Sequence, residues 1–129
     1  MATLKKFEEI LAWQEARTLA KMVYDITRKG ALAKDFGLRD QIQRAAVSVG
    51  SNIAEGFERS GSREFQNFLW IAKGSAGEVA SQLYVLLDAG FLSQEDFDLI
   101  YHQAHKCSYL LYRLILSIKT SSVSGVKNK

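Results

Sequence analysis

The stretch FQNFLWIAKGSAGEVASQLYVLLDAGFLSQEDF, residues 65–97, decides the fold. Its first part spaces Phe65, Phe68, Leu69, Ala72, Ala76, Val79, Leu83, Leu86 and Leu87 three and four residues apart, so they gather on one side of an α-helix. Nowhere do apolar and polar residues alternate as a half-buried strand requires. Gly90 then stops the helix, because glycine enters the left-handed turn without a steric penalty, and Phe91 and Leu92 follow where a Schellman motif places its hydrophobic contact. Ser93, with Asp96 three residues on, opens the next helix as a capping box, with acids in the first turn at the positive end of the helix dipole.

The same period continues in both directions. A first helix, about 7–29, collects Ala12, Ala16, Leu19, Ala20, Val23, Ile26 and Thr27, with Trp13 and Tyr24 at its edge and Gly30 as a left-handed end. A second, about 38–59, collects Leu38, Ile42, Ala45, Ala46, Val49, Ile53 and Phe57. The third, 62–89, starts after Ser60-Gly61-Ser62, where either serine is placed to cap it. The fourth, 94–119, buries Phe97, Ile100, Ala104, Cys107, Leu111, Leu114, Ile115 and Ile118, and the polar tail 120–129 is too poor in apolar residues to pack. Long helices joined by short loops predict an all-α fold, an antiparallel up-down-up-down four-helix bundle, as a single domain over 1–129.

Composition agrees. The 129 residues are 47% apolar and 24% charged, the balance of one ordinary domain. A single cysteine, Cys107, excludes an internal disulfide and a zinc ribbon. No apolar run is long enough to span a bilayer, and Glu8 and Glu9 stand where a signal peptide would be apolar, so a cytoplasmic location is expected. Seventeen Lys and Arg against fourteen Asp and Glu give +3, well short of a strongly basic nucleic-acid arm.

Catalytic chemistry has little to stand on. A carboxylate-bridged di-iron bundle needs a Glu three residues before a His on two helices, but Leu99 and His102 occupy those places before His102 and His105. No metal and no cofactor are expected. Cys107 falls on the inward stripe, where an apolar setting raises a thiol's pKa and leaves it inert. None of Gly50, Gly56, Gly74 and Gly77 follows a strand or ends in a phosphate-loop signature, so close helix packing is their expected reason. The reading is of a protein that is not an enzyme.

The surfaces are more informative. On the second helix Arg44, Ser48, Ser51, Asn52, Glu55 and Arg59 form a polar stripe. It reads either as ion pairs plus small residues admitting a neighbouring helix, or as a recognition surface for phosphate or an acidic partner; Glu55 and Glu58 count against phosphate. On the third helix Trp70, Gly74, Gly77, Ser81 and Tyr84, flanked by Ile71 and Val85, face away from the core as a candidate oligomer interface. The fourth helix carries Tyr101, His105, Tyr109, Tyr112 and Leu116, aromatics suited to a contact or to base stacking, with only Lys106 and Arg113 as nearby cations.

The string FGLRDQIQRAAVSVGSNIAEGFERSGSREFQNFLWIAKGSAGEV, residues 36–79, resembles the 23S rRNA intervening-sequence proteins, a family of four-helix-bundle proteins. Phe36-Gly37-Leu38, Arg44-Ala45-Ala46, Ser51-Asn52-Ile53-Ala54-Glu55-Gly56, Glu64-Phe65 and Gly74-Ser75 with Glu78 carry the match, and Trp13, Ala16, Leu19 and Val23-Tyr24 extend it upstream. The resemblance implies a closed homo-oligomer, a homopentamer, with no catalytic activity; some genes of the family lie inside insertions in bacterial rRNA genes. Related accessory proteins of diversity-generating retroelements imply nucleic acid or a nucleic-acid-associated protein as partner. The chain departs from the family pattern at Ala31-Leu32, at Gln43, often an arginine, and at Gly50, often a proline. Ring symmetry would repeat Arg39, Arg44, Arg59 and Arg63, the candidate nucleic-acid-binding residues, into a basic belt for structured RNA. The alternative is a protein–protein scaffold that binds no nucleic acid.

Overall fold

The computed structural model describes residues 3–121, with side chains as far as Ile118. A short 3-10 turn, Phe7–Glu9, precedes α1 (Leu11–Thr27), and a second, Gly30–Lys34, leads to α2 (Phe36–Glu58), α3 (Ser62–Asp88) and α4 (Gln94–Ser121). No strand occurs among the described residues. Each helix packs on two others, α1 on α2 and α4, and α3 on α2 and α4, while the diagonal pairs do not approach one another. The result is an all-α four-helix bundle around one core, in which Leu19, Ile42, Val49, Ile53, Leu69, Leu83, Leu111 and Ile115 are wholly shielded from solvent.

The ends are set by local chemistry. α1 starts four residues later than the sequence period suggests: the chain breaks at Ile10, so that Phe7 folds back and meets Trp13 edge-on at 5.0 Å. At its other end Gly30 is left-handed, φ +58°, but it opens the second 3-10 turn rather than capping α1, which stops at Thr27. Thr27 is buried; its hydroxyl donates to the Val23 carbonyl at 2.8 Å and accepts the Gln43 amide at 2.8 Å, tying α1 to α2. α2 starts two residues earlier than expected because the Asp35 carboxylate caps the Leu38 N–H at 3.1 Å.

At the head of α3 neither serine is the cap: Gly61, at φ +95°, holds that position. Its far end is the Schellman motif the sequence predicts, with Gly90 at φ +83°, the Phe91 N–H on the Leu86 carbonyl at 2.9 Å and the Gly90 N–H on the Leu87 carbonyl at 3.1 Å. Ser93 caps α4 by accepting the Asp96 N–H at 3.1 Å. The helix runs on to Ser121, past the predicted end, and the rest of the expected tail, 122–129, lies outside the described residues.

Between α4 and α1 the Gln103 side chain, buried, donates to the Glu15 carbonyl at 2.9 Å and its carboxylate at 2.8 Å. That hydrogen bond, with Lys106 3.4 Å away, holds the Glu15 carboxyl below its ordinary pKa despite partial desolvation. Between α2 and α3 the decisive residue is Gly56, where a Cβ would lie 2.6 Å from Phe68 Cβ and 3.3 Å from the Phe65 carbonyl oxygen.

Two substitutions test this packing by urea unfolding. Leu83→Ala is expected to cost about 2–5 kcal/mol through lost burial and a residual cavity, and a loss below about 1 kcal/mol would put Leu83 outside the core. Gly56→Ala should cost about 1–3 kcal/mol, because the added methyl forces α2 and α3 apart.

Candidate assembly face and nucleic-acid interface

α3 buries its heptad-like stripe against α2 and α4, and the residues left facing outward are those the sequence marked: Trp70, Gly74, Gly77, Ser81 and Tyr84 are all exposed. Trp70 is 46% and Tyr84 49% exposed, with Ile71 at 52% and Val85 at 47% beside them, so four large apolar side chains border a floor of glycine and serine. Gly74 and Gly77 have no atom within 4 Å of the place a Cβ would take. Close packing within the chain, the reason expected for every helical glycine, therefore holds at Gly56 and, as ordinary contact 3.5 Å from Trp13, at Gly50, but not on this face.

The α3 face does not end at its own helix. The Tyr84 ring lies 4.9 Å from Phe97 and 5.7 Å from Tyr101 on α4, and the neighbouring Tyr101 phenol holds the Tyr84 hydroxyl above its ordinary pKa. Tyr101 in turn stacks on Phe97 at 5.3 Å and approaches His105 at 6.2 Å. Tyr109 and Tyr112 continue the aromatic row along exposed α4. The two cations near that row are already engaged: Arg113 donates to the Tyr109 hydroxyl at 2.9 Å and lies 5.8 Å from its ring centre, and Lys106 pairs with Glu15. Of the two, Lys106 is neutralised by a carboxylate, whereas Arg113, held by an uncharged phenol, keeps its charge, which leaves base stacking on α4 a single cation.

The four candidate arginines fall into two kinds. Arg39 pairs with Asp40 at 2.8 Å, donates to the Ala33 carbonyl at 3.0 Å and covers the exposed Phe36 ring at 4.6 Å, so it fastens the loop before α2. Arg59 pairs with Glu55 at 2.9 Å and Glu64 at 3.4 Å and covers Phe68 at 5.0 Å, closing the α2–α3 turn. Arg44 and Arg63 are exposed and have no carboxylate partner among the described residues. Arg39 and Arg59 stand at opposite ends of α2, roughly 30 Å apart along its axis at about 1.5 Å per residue. Only Arg59 and Arg63 are neighbours, one on each side of the turn.

The polar stripe of α2 divides in the same way. Ser48 turns toward α3, its hydroxyl 2.9 Å from that of buried Ser75, and the Asn52 amide donates to the Ser48 carbonyl and hydroxyl, both at 2.9 Å. These small polar residues let the helices close, while Glu55 and Arg59 make the ion pair foreseen for them and Arg44 does not join it. Cys107 is fully buried, and burial pushes its thiol up to about 12, so it is protonated and unreactive at neutral pH. His102 and His105 are exposed, and among the described residues no three His, Cys, Asp or Glu side chains are grouped to hold a metal. No helix of the described residues is long and apolar enough to cross a membrane.

Fold and surface together define a four-helix bundle whose outer α3 face is apolar and open. The model of the 23S rRNA-intervening sequence protein family matches residues 8–113, and the chain belongs to that family. A crystal structure of a protein of unknown function from the S23 ribosomal protein family of Bacteroides thetaiotaomicron VPI-5482 has the same fold, with a TM-score of 0.76 at 24% identity, covering 82% of this chain and 96% of that one. No curated protein matches the chain.

A thiol reagent checks the buried site. Cys107 should react slowly in the native protein and at the rate of a free thiol in denaturant; prompt reaction without denaturant would mean that α4 is turned the other way.

Proposed function

We propose that this protein is a non-catalytic, cytoplasmic assembly module whose copies close into a ring, five by the family resemblance, and present repeated arginines to structured RNA. In this reading the helices run up, down, up and down, and the outer face of α3 is where one copy meets another. The observation that supports it is the pair of open glycines. Glycine inside a helix costs about 1 kcal/mol against alanine, and Gly74 and Gly77 repay nothing within their own chain. A flat floor between Trp70 and Tyr84 admits a second helix at close range, and an apolar patch of this kind marks an interface.

The family description, with its reference to rRNA, supports RNA as the partner, while the net charge of +3 on one subunit is small. Ring symmetry multiplies each weak phosphate contact, and linked contacts raise affinity without reading bases. Of the four candidate arginines, Arg44 and Arg63 have no carboxylate partner among the described residues and are the ones available to phosphate, whereas Arg39 and Arg59 are held by Asp40, Glu55 and Glu64. The buried, protonated Cys107 supports a role without catalysis. The neutralised Arg39 and Arg59 favour the second reading, a protein–protein scaffold.

Sedimentation at micromolar concentration should give one closed oligomer for the natural chain, and Gly77→Glu should shift it toward monomer by forcing a charge into the contact. A compact monomer for the natural chain ends the assembly reading. A mobility shift at low salt that fades steeply as salt rises supports RNA, and no shift at any salt leaves the scaffold reading in its place.

A further inference from the structure

The side of α1 that borders α2 carries an ordered ladder: Trp13, Arg17, Lys21, Tyr24 and Arg28 follow one another at steps of three or four residues, along about 22 Å of helix. Rings and cations share one edge. The Trp13 indole lies against α2 beside Gly50, where a Cβ would make ordinary contact 3.5 Å from its nitrogen. A groove of about 280 Å³ lies there, lined mostly by apolar residues, Phe7, Trp13, Ala46 and Val47 among them, with Arg17 and Ser51 as its polar members. A second, of about 500 Å³, continues it past Tyr24 and Arg44, and Ser51 lines both.

The charges on this face do not balance. Asp25 meets Lys21 at 3.2 Å and Arg28 at 3.9 Å, and Asp40 is taken by Arg39 at 2.8 Å. Arg17 and Arg44 have neither an ion pair nor a hydrogen bond among the described residues. Two free guanidiniums therefore flank the exposed Ser51 hydroxyl, with an indole at one end of the groove and a phenol at the other. A largely apolar groove with two unpaired guanidiniums and aromatic rings along it suits an unpaired strand, whose phosphates seek the guanidiniums and whose bases offer π-faces; a duplex hides those faces. α1 and α3 are diagonal in the bundle, so the α3 face proposed for assembly and the α1 side of this groove share no helix.

We infer that the α1–α2 groove binds single-stranded RNA, with Arg17 and Arg44 on its phosphates and Trp13 and Tyr24 beside its bases. This rests on the nucleic-acid part of the function proposed above and moves the contact away from Arg39 and Arg59.

Fluorescence anisotropy with a short labelled RNA strand and the matching duplex, read over a series of salt concentrations, tests it. The natural protein should bind the strand more tightly than the duplex. Arg17→Ala with Arg44→Ala should weaken binding about tenfold or more and flatten the plot of log affinity against log salt by about 1.4, two phosphates at about 0.7 each on a single strand. Arg39→Ala with Arg59→Ala should stay within about twofold, and both double variants should sediment as the natural oligomer. Unchanged affinity and salt slope for the Arg17/Arg44 variant, or preference for the duplex, overturns the inference. A loss confined to the Arg39/Arg59 variant overturns it too while leaving RNA binding in place, whereas no RNA binding by the natural protein removes both.

Discussion

The bundle is organised by how closely α2 and α3 come together at Gly56. No side chain fits there: a Cβ would stand 2.6 Å from that of Phe68, so the α2 backbone itself lies against the first turns of α3. The short connection Arg59–Gly61 fits that approach, and the Phe57 and Phe65 rings meet edge-on at 5.9 Å just inside it. Arg59 then spans the turn, reaching Glu55 behind it and Glu64 ahead while covering Phe68. These half-exposed ion pairs contribute about 1 kcal/mol at most, so the close backbone contact, with the area it buries, holds the hairpin.

From that end the four seams are finished in different ways. The described core has three buried polar residues, Thr27, Ser75 and Gln103, and each bonds across a different seam. Thr27 receives Gln43 between α1 and α2, Ser75 meets Ser48 between α3 and α2, and Gln103 holds Glu15 between α4 and α1. A buried polar group left unpaired costs about 1–3 kcal/mol, so sliding any of these helices by a turn is penalised far more than an all-apolar seam would penalise it. The α3–α4 seam carries rings instead: Tyr84 of α3 meets Phe97 at a tilt and Tyr101 edge-on, and those two α4 rings stack on each other.

That difference explains what could be read from the chain in advance. Core residues such as Leu69, Leu83 and Leu111 announce themselves because burial imposes a period, and the same period exposes the outer face of α3. Helix ends were harder. Asp35 caps α2 from within a run that reads as loop, and the break at Ile10 depends on Phe7 finding Trp13, a contact that periodicity does not encode. The arginines were hardest, since one looks like another in sequence. Arg59 is neutralised by Glu64 from across a turn and Arg39 is held by a carbonyl six residues back, whereas Arg44 has neither, and only the folded chain separates them. Arg17 is silent in the sequence, because the period of α1 reports only its buried side.

The open glycines sharpen the contrast between two faces of one helix. At Gly56 the missing side chain permits a contact worth more than the helix propensity it forfeits; at Gly74 and Gly77 the same penalty of about 1 kcal/mol each meets empty space. Alanine at those two places would strengthen the isolated subunit, so nothing within a single subunit accounts for glycine there. Two surfaces of opposite character then stand on diagonal helices, one apolar and uncharged at its centre on α3, the other cationic and grooved on α1. A bundle with all its exposed apolar area on the charged side could not both associate and keep its arginines in water. On diagonal corners the two surfaces share no helix, so a contact made by the α3 face of one copy does not itself cover the α1 charges of that copy.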